Sequence, residues 1–300
     1  MPQQYVKIDK LANYAIITLH REPVNSMNLD VWIQLQSALT ECEKDSNMRG
    51  IIINSGLQKH IFSAGNDLNE LYAPNTSRDR YQSFWAISNT FLANLYRSRL
   101  ITVAAIKGAC PAGGCVIALC CDYRIMTNDN KSVIGLNEVA LGMSHNTIYI
   151  IYVIGCNNRL FVYDTNYSFQ LMCCIGIPVP KYWIELMVRT IGHRNAEYIL
   201  QRALQPVSSE ALRLGLVDKL VSIDELIPSA EAELKQWLSL QDAGRINTKN
   251  FLRQSISDQW IQFTANEGET AWNRLASEST VKSLGAVMAR LSGGKKNAKL

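Results

Sequence analysis

The sequence lacks most of the features that mark specialised protein classes. Its longest strongly apolar run, around 148–154, is far below the ~18–20 residues that a membrane-spanning helix requires, so a soluble chain is expected. The four histidines (His20, His60, His145 and His193) are scattered, and no CxxC occurs among the eight cysteines, which argues against a zinc site. Cys120-Cys121 and Cys173-Cys174 are adjacent pairs, which rarely bridge one another without strain. Residues 1–5 show neither the apolar core nor the cleavage site of a secretory signal, so the thiols are expected to be buried and reduced in an intracellular compartment. A dominant charge is missing too: 30 Lys+Arg against 26 Asp+Glu leave +4, and only Lys295, Lys296 and Lys299 cluster. No nucleic-acid surface is expected from that balance. There is no sequence repeat and no low-complexity block.

What remains is an ordinary globular composition, 47% hydrophobic and 19% charged over 300 residues, long enough for a large core. The first two-thirds alternate short apolar runs with amphipathic patterns. Residues 14–19, 50–54, 102–106 and 122–126 read as strands; helices read from Asp30 and from Ser77. That alternation means α/β. From about Asn195 the pattern becomes helical, over 196–203, 208–214, 230–240 and 250–291, with one strand at 216–221. A core over 1–200 and a helical region over 201–300 are expected, the transition falling near 200–225. One stretch does not match its surroundings. Residues 143–176 contain no Lys and no Glu, only Arg159 and Asp164 as carboxylate or guanidinium charges, and neither strand nor helix periodicity. A loop of that length inside a compact domain is itself unusual.

Three segments could carry chemistry. Phe62-Ser63-Ala64-Gly65-Asn66-Asp67-Leu68 follows a buried strand, and Gly65 permits a tight turn exposing successive backbone N–H groups. An ordinary strand-to-helix loop capped by Asp67 fits the same residues. Gly108-Ala109-Cys110-Pro111-Ala112-Gly113-Gly114-Cys115-Val116 repeats the geometry, its free amides opening an apolar helix that starts at Val116. Gly113 is followed by Gly114-Cys115 rather than Lys-Ser, so a phosphate loop is poorly supported. An oxyanion hole of backbone amides and plain close packing of small residues both stay open. Gly135-Leu136-Asn137-Glu138-Val139-Ala140-Leu141-Gly142 places Glu138 among apolar neighbours, which would raise its pKa as suits a general base or acid. A surface glutamate at a strand end is the commoner setting.

In this order and at these separations, the three segments resemble the crotonase (enoyl-CoA hydratase/isomerase) superfamily, closest to its mitochondrial-type 3,2-trans-enoyl-CoA isomerases, the dodecenoyl-CoA isomerases. Asn25-Ser26-Met27 after Pro23-Val24, Cys110-Pro111-Ala112-Gly113-Gly114-Cys115, Asn137-Glu138 and Thr190-Ile191-Gly192-His193-Arg194 are similar to the same branch, over roughly 5–142 and 177–290. Asn66 stands where that branch usually carries an apolar residue, but the donor implied there is a backbone N–H. Hydratases of the superfamily use two glutamates; here the first position is Val116 and only Glu138 remains. The resemblance therefore implies a spiral of ββα units with a helical C-terminal region, assembled as a homotrimer and acting on a fatty acyl-CoA in β-oxidation of unsaturated fatty acids. Glu138 is the implied catalytic residue of a 1,3-proton shift, and the backbone N–H groups of Asn66 and Gly113 are the implied oxyanion hole. Ala64, Gly65, Asn66, Asp67, Leu68, Gly113 and Asn137 are the implied substrate-binding residues. No metal or redox cofactor is implied, coenzyme A being part of the substrate. A related hydratase, or a catalytically impaired binding subunit, are the alternatives.

The same resemblance joins Leu141-Gly142 directly to Ile177-Pro178, leaving 143–176 extra. This stretch is expected to be a translated, unspliced intron or gene-model artefact, and, where genuinely translated, to reduce activity or stability. The mitochondrial matrix is the location implied by resemblance, although no Arg-rich amphipathic leader precedes Tyr5. Ala298-Lys299-Leu300 resembles the peroxisomal Ser-Lys-Leu address and supplies the alternative.

Overall fold

The computed structural model describes residues 3–138 and 177–297. The chain begins as a hairpin: β1 (Val6–Lys10) pairs antiparallel with β2 (Tyr14–Leu19), Val6 opposite Leu19. Helix α1 (Leu29–Lys44) follows, capped by Asn28, whose side chain accepts from the Val31 N–H. Next come β3 (Gly50–Ser55), the short α2 (Leu68–Leu71), α3 (Arg78–Arg97) and β4 (Ile101–Ile106). The two-residue β5 (Cys110–Pro111) leads into α4 (Gly113–Cys120), then β6 (Tyr123–Thr127) and the two-residue β7 (Ile134–Gly135). Beyond residue 177 lie α5 (Lys181–Ile191), α6 (His193–Gln201), α7 (Ser208–Leu214) and β8 (Lys219–Val221). Helices α8 (Leu226–Leu238), α9 (Asp242–Leu275) and α10 (Glu278–Asn297) complete the described chain.

The large sheet runs β1-β2-β3-β4-β6-β8, parallel from β2 onward, and β5 pairs with β7 in a second small parallel sheet. Isolated parallel bridges join Met27 to Asn66 and Ile61 to Ala109. The chain thus repeats one step: a strand of the large sheet, a short extended piece, then a helix. Alternating side chains explain why the inner strands read as unbroken apolar runs. Ile51, Ile53, Ala104 and Ile106 pack with α1, α3 and α4 on one face, whereas Ile52, Ile101, Val103 and Ala105 meet Leu226, Ala230 and Leu234 of α8 on the other. Each fully buried Ile or Leu contributes about 1.5–3 kcal/mol.

Several sequence readings shift. Strand β1 was not among those expected, and the strand expected over 216–221 is confined to Lys219–Val221. The helical stretch expected over 250–291 divides, because α9 ends at Leu275 and α10 starts at Glu278. The helix after the second glycine turn begins at Gly113, three residues ahead of the apolar run that suggested Val116. Residues beyond 200 join the same sheet and core: β8 pairs with β6, and the Trp260 indole on α9 donates to Asn89 Oδ1 on α3 at 3.0 Å. A buried cluster ties α9 to the start of β6. Asp122 receives Lys249 Nζ at 2.7 Å and Arg253 at 2.9 Å, and accepts from Thr102 N at 2.9 Å. Cys42, Cys110, Cys115, Cys120 and Cys121 are buried and free; Cys156, Cys173 and Cys174 lie outside the described residues. So do the whole of 143–176 and Ala298-Lys299-Leu300. No helix among the described residues is long and apolar enough to cross a membrane.

Candidate active site

The first turn is fixed from two sides. Asn25 holds a left-handed backbone (φ 50), and its Nδ2 donates to Ser55 Oγ and Phe62 O, each at 3.0 Å. The Ser63 hydroxyl donates to Asn25 O at 2.7 Å. Met27 then clamps the residues on either side of Asn66, its N–H donating to Gly65 O at 2.8 Å and its C=O accepting from Asp67 N at 2.9 Å. In a parallel bridge of this kind, the amide of the middle residue points away from the partner strand. The Asn66 N–H therefore faces away from Met27. Gly65 (φ 84) has no room for a side chain, since a Cβ there would lie 2.8 Å from the Ala112 Cβ.

The second turn is built by β5 and β7. Cys110 N donates to Val133 O at 2.8 Å and Ala112 N to Gly135 O at 2.9 Å. Ala112 takes a left-handed φ of 49, a conformation costing an alanine on the order of 1–3 kcal/mol, and α4 starts at the next residue. The Gly113 N–H is therefore one of the first-turn amides that a helix leaves without an internal partner. The two turns touch: a Cβ on Gly113 would stand 3.6 Å from Asn66 N, 3.3 Å from Asn66 Oδ1 and 2.7 Å from the Met27 methyl. Neither Asn66 N nor Gly113 N has an acceptor among the described residues.

Glu138 is 4% exposed, and both carboxyl oxygens lack a partner among the described residues. Burial pushes its pKa up to about 7, opposed only by its own backbone amide. Burial, then the neighbouring Glu138 charge, also hold the Cys115 thiol up, so Glu138 lies within electrostatic reach of the first turn of α4. Asn137 beside it is buried, with both polar side-chain atoms unpartnered among the described residues. A cavity of about 470 Å³ has Ala64, Asn66, Leu68, Ala112 and Glu138 on its wall. Tyr81, Trp85, Trp183 and Phe263 supply an aromatic side to it.

Of the sequence-derived candidates, Ala64, Asn66, Leu68 and Glu138 thus share one cavity. Gly65 and Gly113 pack against each other and, like the buried Asn137, are not on its wall. Asp67 is engaged elsewhere: its carboxylate caps α2 through Asn69 N at 3.0 Å and pairs with Arg21 at 2.8 Å. Sequence reading missed Glu267, which also lines the cavity. Burial raises its pKa, its Oε1 accepts from Lys181 N at 3.0 Å, and its Oε2 has no partner among the described residues. It missed Trp32 as well, whose indole donates to Asn66 Oδ1 at 3.2 Å. Nothing in local spacing could have found either, for both act across long sequence separations. Among the described residues, no group of His, Cys, Asp and Glu could hold a metal ion.

The family model for enoyl-CoA hydratase/isomerase matches residues 9–155 and 160–287. It enters 143–176 from both sides, further than the motif resemblance, and breaks within it at 156–159. The mouse protein "Enoyl-CoA delta isomerase 1, mitochondrial" is 33% identical over 95% of this chain and 86% of its own length. A short-chain-enoyl-CoA hydratase of Clostridium acetobutylicum is 27% identical over 75% of this chain and 72% of its own. Among solved structures, human mitochondrial delta3-delta2-enoyl-CoA isomerase superposes with a TM-score of 0.81 at 31% identity, over 97% of this chain and 100% of that one.

Proposed function

The chain belongs to the enoyl-CoA hydratase/isomerase (crotonase) family, and from that premise we propose that it is an enoyl-CoA isomerase, moving a 3-cis or 3-trans double bond of a fatty acyl-CoA to 2-trans in β-oxidation of unsaturated fatty acids. The observation that carries this reading is Glu138, a buried carboxyl without a partner among the described residues, on the same cavity wall as the Asn66 turn. A carboxyl with a pKa near 7 both takes up and gives back a proton readily at neutral pH.

In the proposed cycle, the Glu138 carboxylate takes a proton from C2 of the 3-enoyl thioester. The C–H electron pair moves into a C1–C2 double bond, and the carbonyl pair onto the thioester oxygen. The backbone N–H groups of Asn66 and Gly113 stabilise that oxyanion. Glu138 then returns the proton to C4; the thioester carbonyl reforms and the double bond settles between C2 and C3. Val116, fully buried, stands at the position that resembles the first glutamate of the hydratases, so that position supplies no second carboxyl to hold an attacking water. Ala64 and Leu68 shape the thioester end from the cavity wall, Gly65 and Asn137 support it from outside that wall, and the aromatic side of the cavity takes the alkyl chain. Coenzyme A enters as part of the substrate, and no cofactor has a part in the cycle.

A homotrimer and a mitochondrial matrix location belong to the same reading, the latter supported by the mitochondrial naming of the mouse relative. The test is to offer 3-enoyl-CoA and 2-enoyl-CoA separately. Conversion of the first to 2-trans-enoyl-CoA, with little hydration of the second, is expected. Faster hydration than isomerisation, or acyl-CoA binding with neither reaction, overturns the reading.

A further inference from the structure

Asn66 offers more than its backbone amide. Trp32, fully buried on α1 and packed against Phe91 with ring centroids 5.8 Å apart, donates its indole N–H to Asn66 Oδ1 at 3.2 Å. An indole N–H only donates, so the carboxamide atom facing it must be the oxygen, and the NH2 group must lie on the other side. That oxygen is also 3.3 Å from the point where a Gly113 Cβ would stand. The carboxamide oxygen and the Asn66 amide therefore lie within a few ångströms of the first residue of α4, and Nδ2 is the branch of the side chain left over. Nδ2 has no acceptor among the described residues, and Asn66 is only partly buried and lines the cavity that holds Glu138. An amide with two unused N–H groups, its orientation set by a buried tryptophan, is arranged to meet an acceptor on a ligand.

We propose that Asn66 Nδ2 is a third hydrogen-bond donor to the thioester oxygen of a bound acyl-CoA, and that Trp32 is its positioning residue. This rests on the acyl-CoA reading above. One neutral hydrogen bond corresponds to roughly a tenfold change in affinity or rate. Asn66→Leu removes the side-chain donor and keeps the backbone amide. Asn66→Asp keeps the bond from Trp32 and nearly the same shape, but replaces the donor with a negative acceptor. Trp32→Phe removes the indole N–H together with part of a fully buried ring, so its effect on ligands is read only in protein that melting shows to be folded.

The experiment is calorimetric titration of the full chain and these variants with decanoyl-CoA and with its thioether analogue S-decyl-CoA, which lacks the carbonyl, alongside isomerisation kinetics. Asn66→Leu should weaken decanoyl-CoA about tenfold, leave S-decyl-CoA unchanged and lower kcat more than it raises KM. Asn66→Asp should lose more than Asn66→Leu, because its charge opposes the developing oxyanion. Trp32→Phe should show a smaller loss confined to the thioester ligand. Melting curves verify folding, and the near-isosteric Asn66→Asp serves if Asn66→Leu does not fold. Equal effects on both ligands, or none, overturn the proposal while leaving isomerase activity standing. A full chain that binds neither ligand overturns the acyl-CoA reading and this inference together.

Discussion

Two buried carboxyl groups lie near opposite ends of α4 and are treated in opposite ways. Asp122, just past the C-terminal end, is surrounded by Lys249, Arg253 and the Thr102 amide. Burial alone would raise its pKa, yet the two cations and the hydrogen bonds outweigh burial and hold it below the usual carboxylate range. Glu138, near the first turn, meets the same burial with nothing but its own backbone amide against it, and is pushed up to about 7. The fold can satisfy a buried carboxylate where structure requires it. At Glu138 no group among the described residues does so, and an unpartnered carboxyl with a raised pKa in a cavity is the setting in which the proposed proton transfer is placed.

This contrast can be broken. Glu138→Gln should lower isomerisation by about 10²–10⁴-fold while leaving the melting temperature level or slightly higher, since it removes a desolvated acid. Asp122→Asn should do the reverse. It leaves Lys249 and Arg253 without their carboxylate, costing about 3–5 kcal/mol in urea unfolding, while turnover per folded molecule stays close to that of the parent. Loss of folding in the first variant, or loss of turnover in a fully folded second one, would remove the distinction. Gly113→Ala is expected to have a smaller, mixed effect. Its Cβ meets the flexible Met27 methyl at 2.7 Å and then the Asn66 carboxamide at 3.3 Å. A stability cost of about 1–3 kcal/mol and a turnover loss of roughly tenfold are expected, read by melting and initial rates.

The smallest expected effect concerns the segment set apart by composition. The Ile177 N–H donates to Glu138 O at 3.1 Å, so the flanks of 139–176 are already adjacent. A chain lacking 143–176 should remain soluble and turn over at or above the rate of the full chain; a deletion product that fails to fold contradicts this.

The parts of the fold visible in the sequence are those coded locally. Strands β3 and β4 are built around apolar runs, Ile51-Ile52-Ile53 and Val103-Ala104-Ala105-Ile106, because both faces are covered, and Ser77 and Asp67 cap the helices that follow them. The two glycine turns and Glu138 could be singled out because tight turns need particular residues and a lone acid among apolar neighbours is conspicuous. Strands β5 and β7, two residues each, leave no periodicity to read; they exist through pairing with each other. The division between α9 and α10 carries no Pro or Gly; Ser277 stands just ahead of α10, and its C=O accepts from Val281 N at 2.9 Å. Trp32 and Glu267 approach the cavity from α1 and α9 only once the layers are assembled.

pH separates the two carboxyl groups most cleanly. Glu138, with a raised pKa, contributes stability that is fully present below the ordinary carboxylate value of about 4.3 and lost as pH rises through about 7. Asp122, held low, contributes stability that is present above about 3.9 and lost as pH falls through its depressed folded value. Between pH 5 and 8, then, the fold keeps its Asp122 cluster while Glu138 changes state. The most direct test is kcat/KM for 3-enoyl-CoA across that range, in the full chain and in Glu138→Gln. The expected result is a rate that rises with pH through a single ionisation near 7, and a residual Glu138→Gln rate without that step. A flat profile in the full chain, or the same ionisation surviving in Glu138→Gln, would contradict Glu138 as the base.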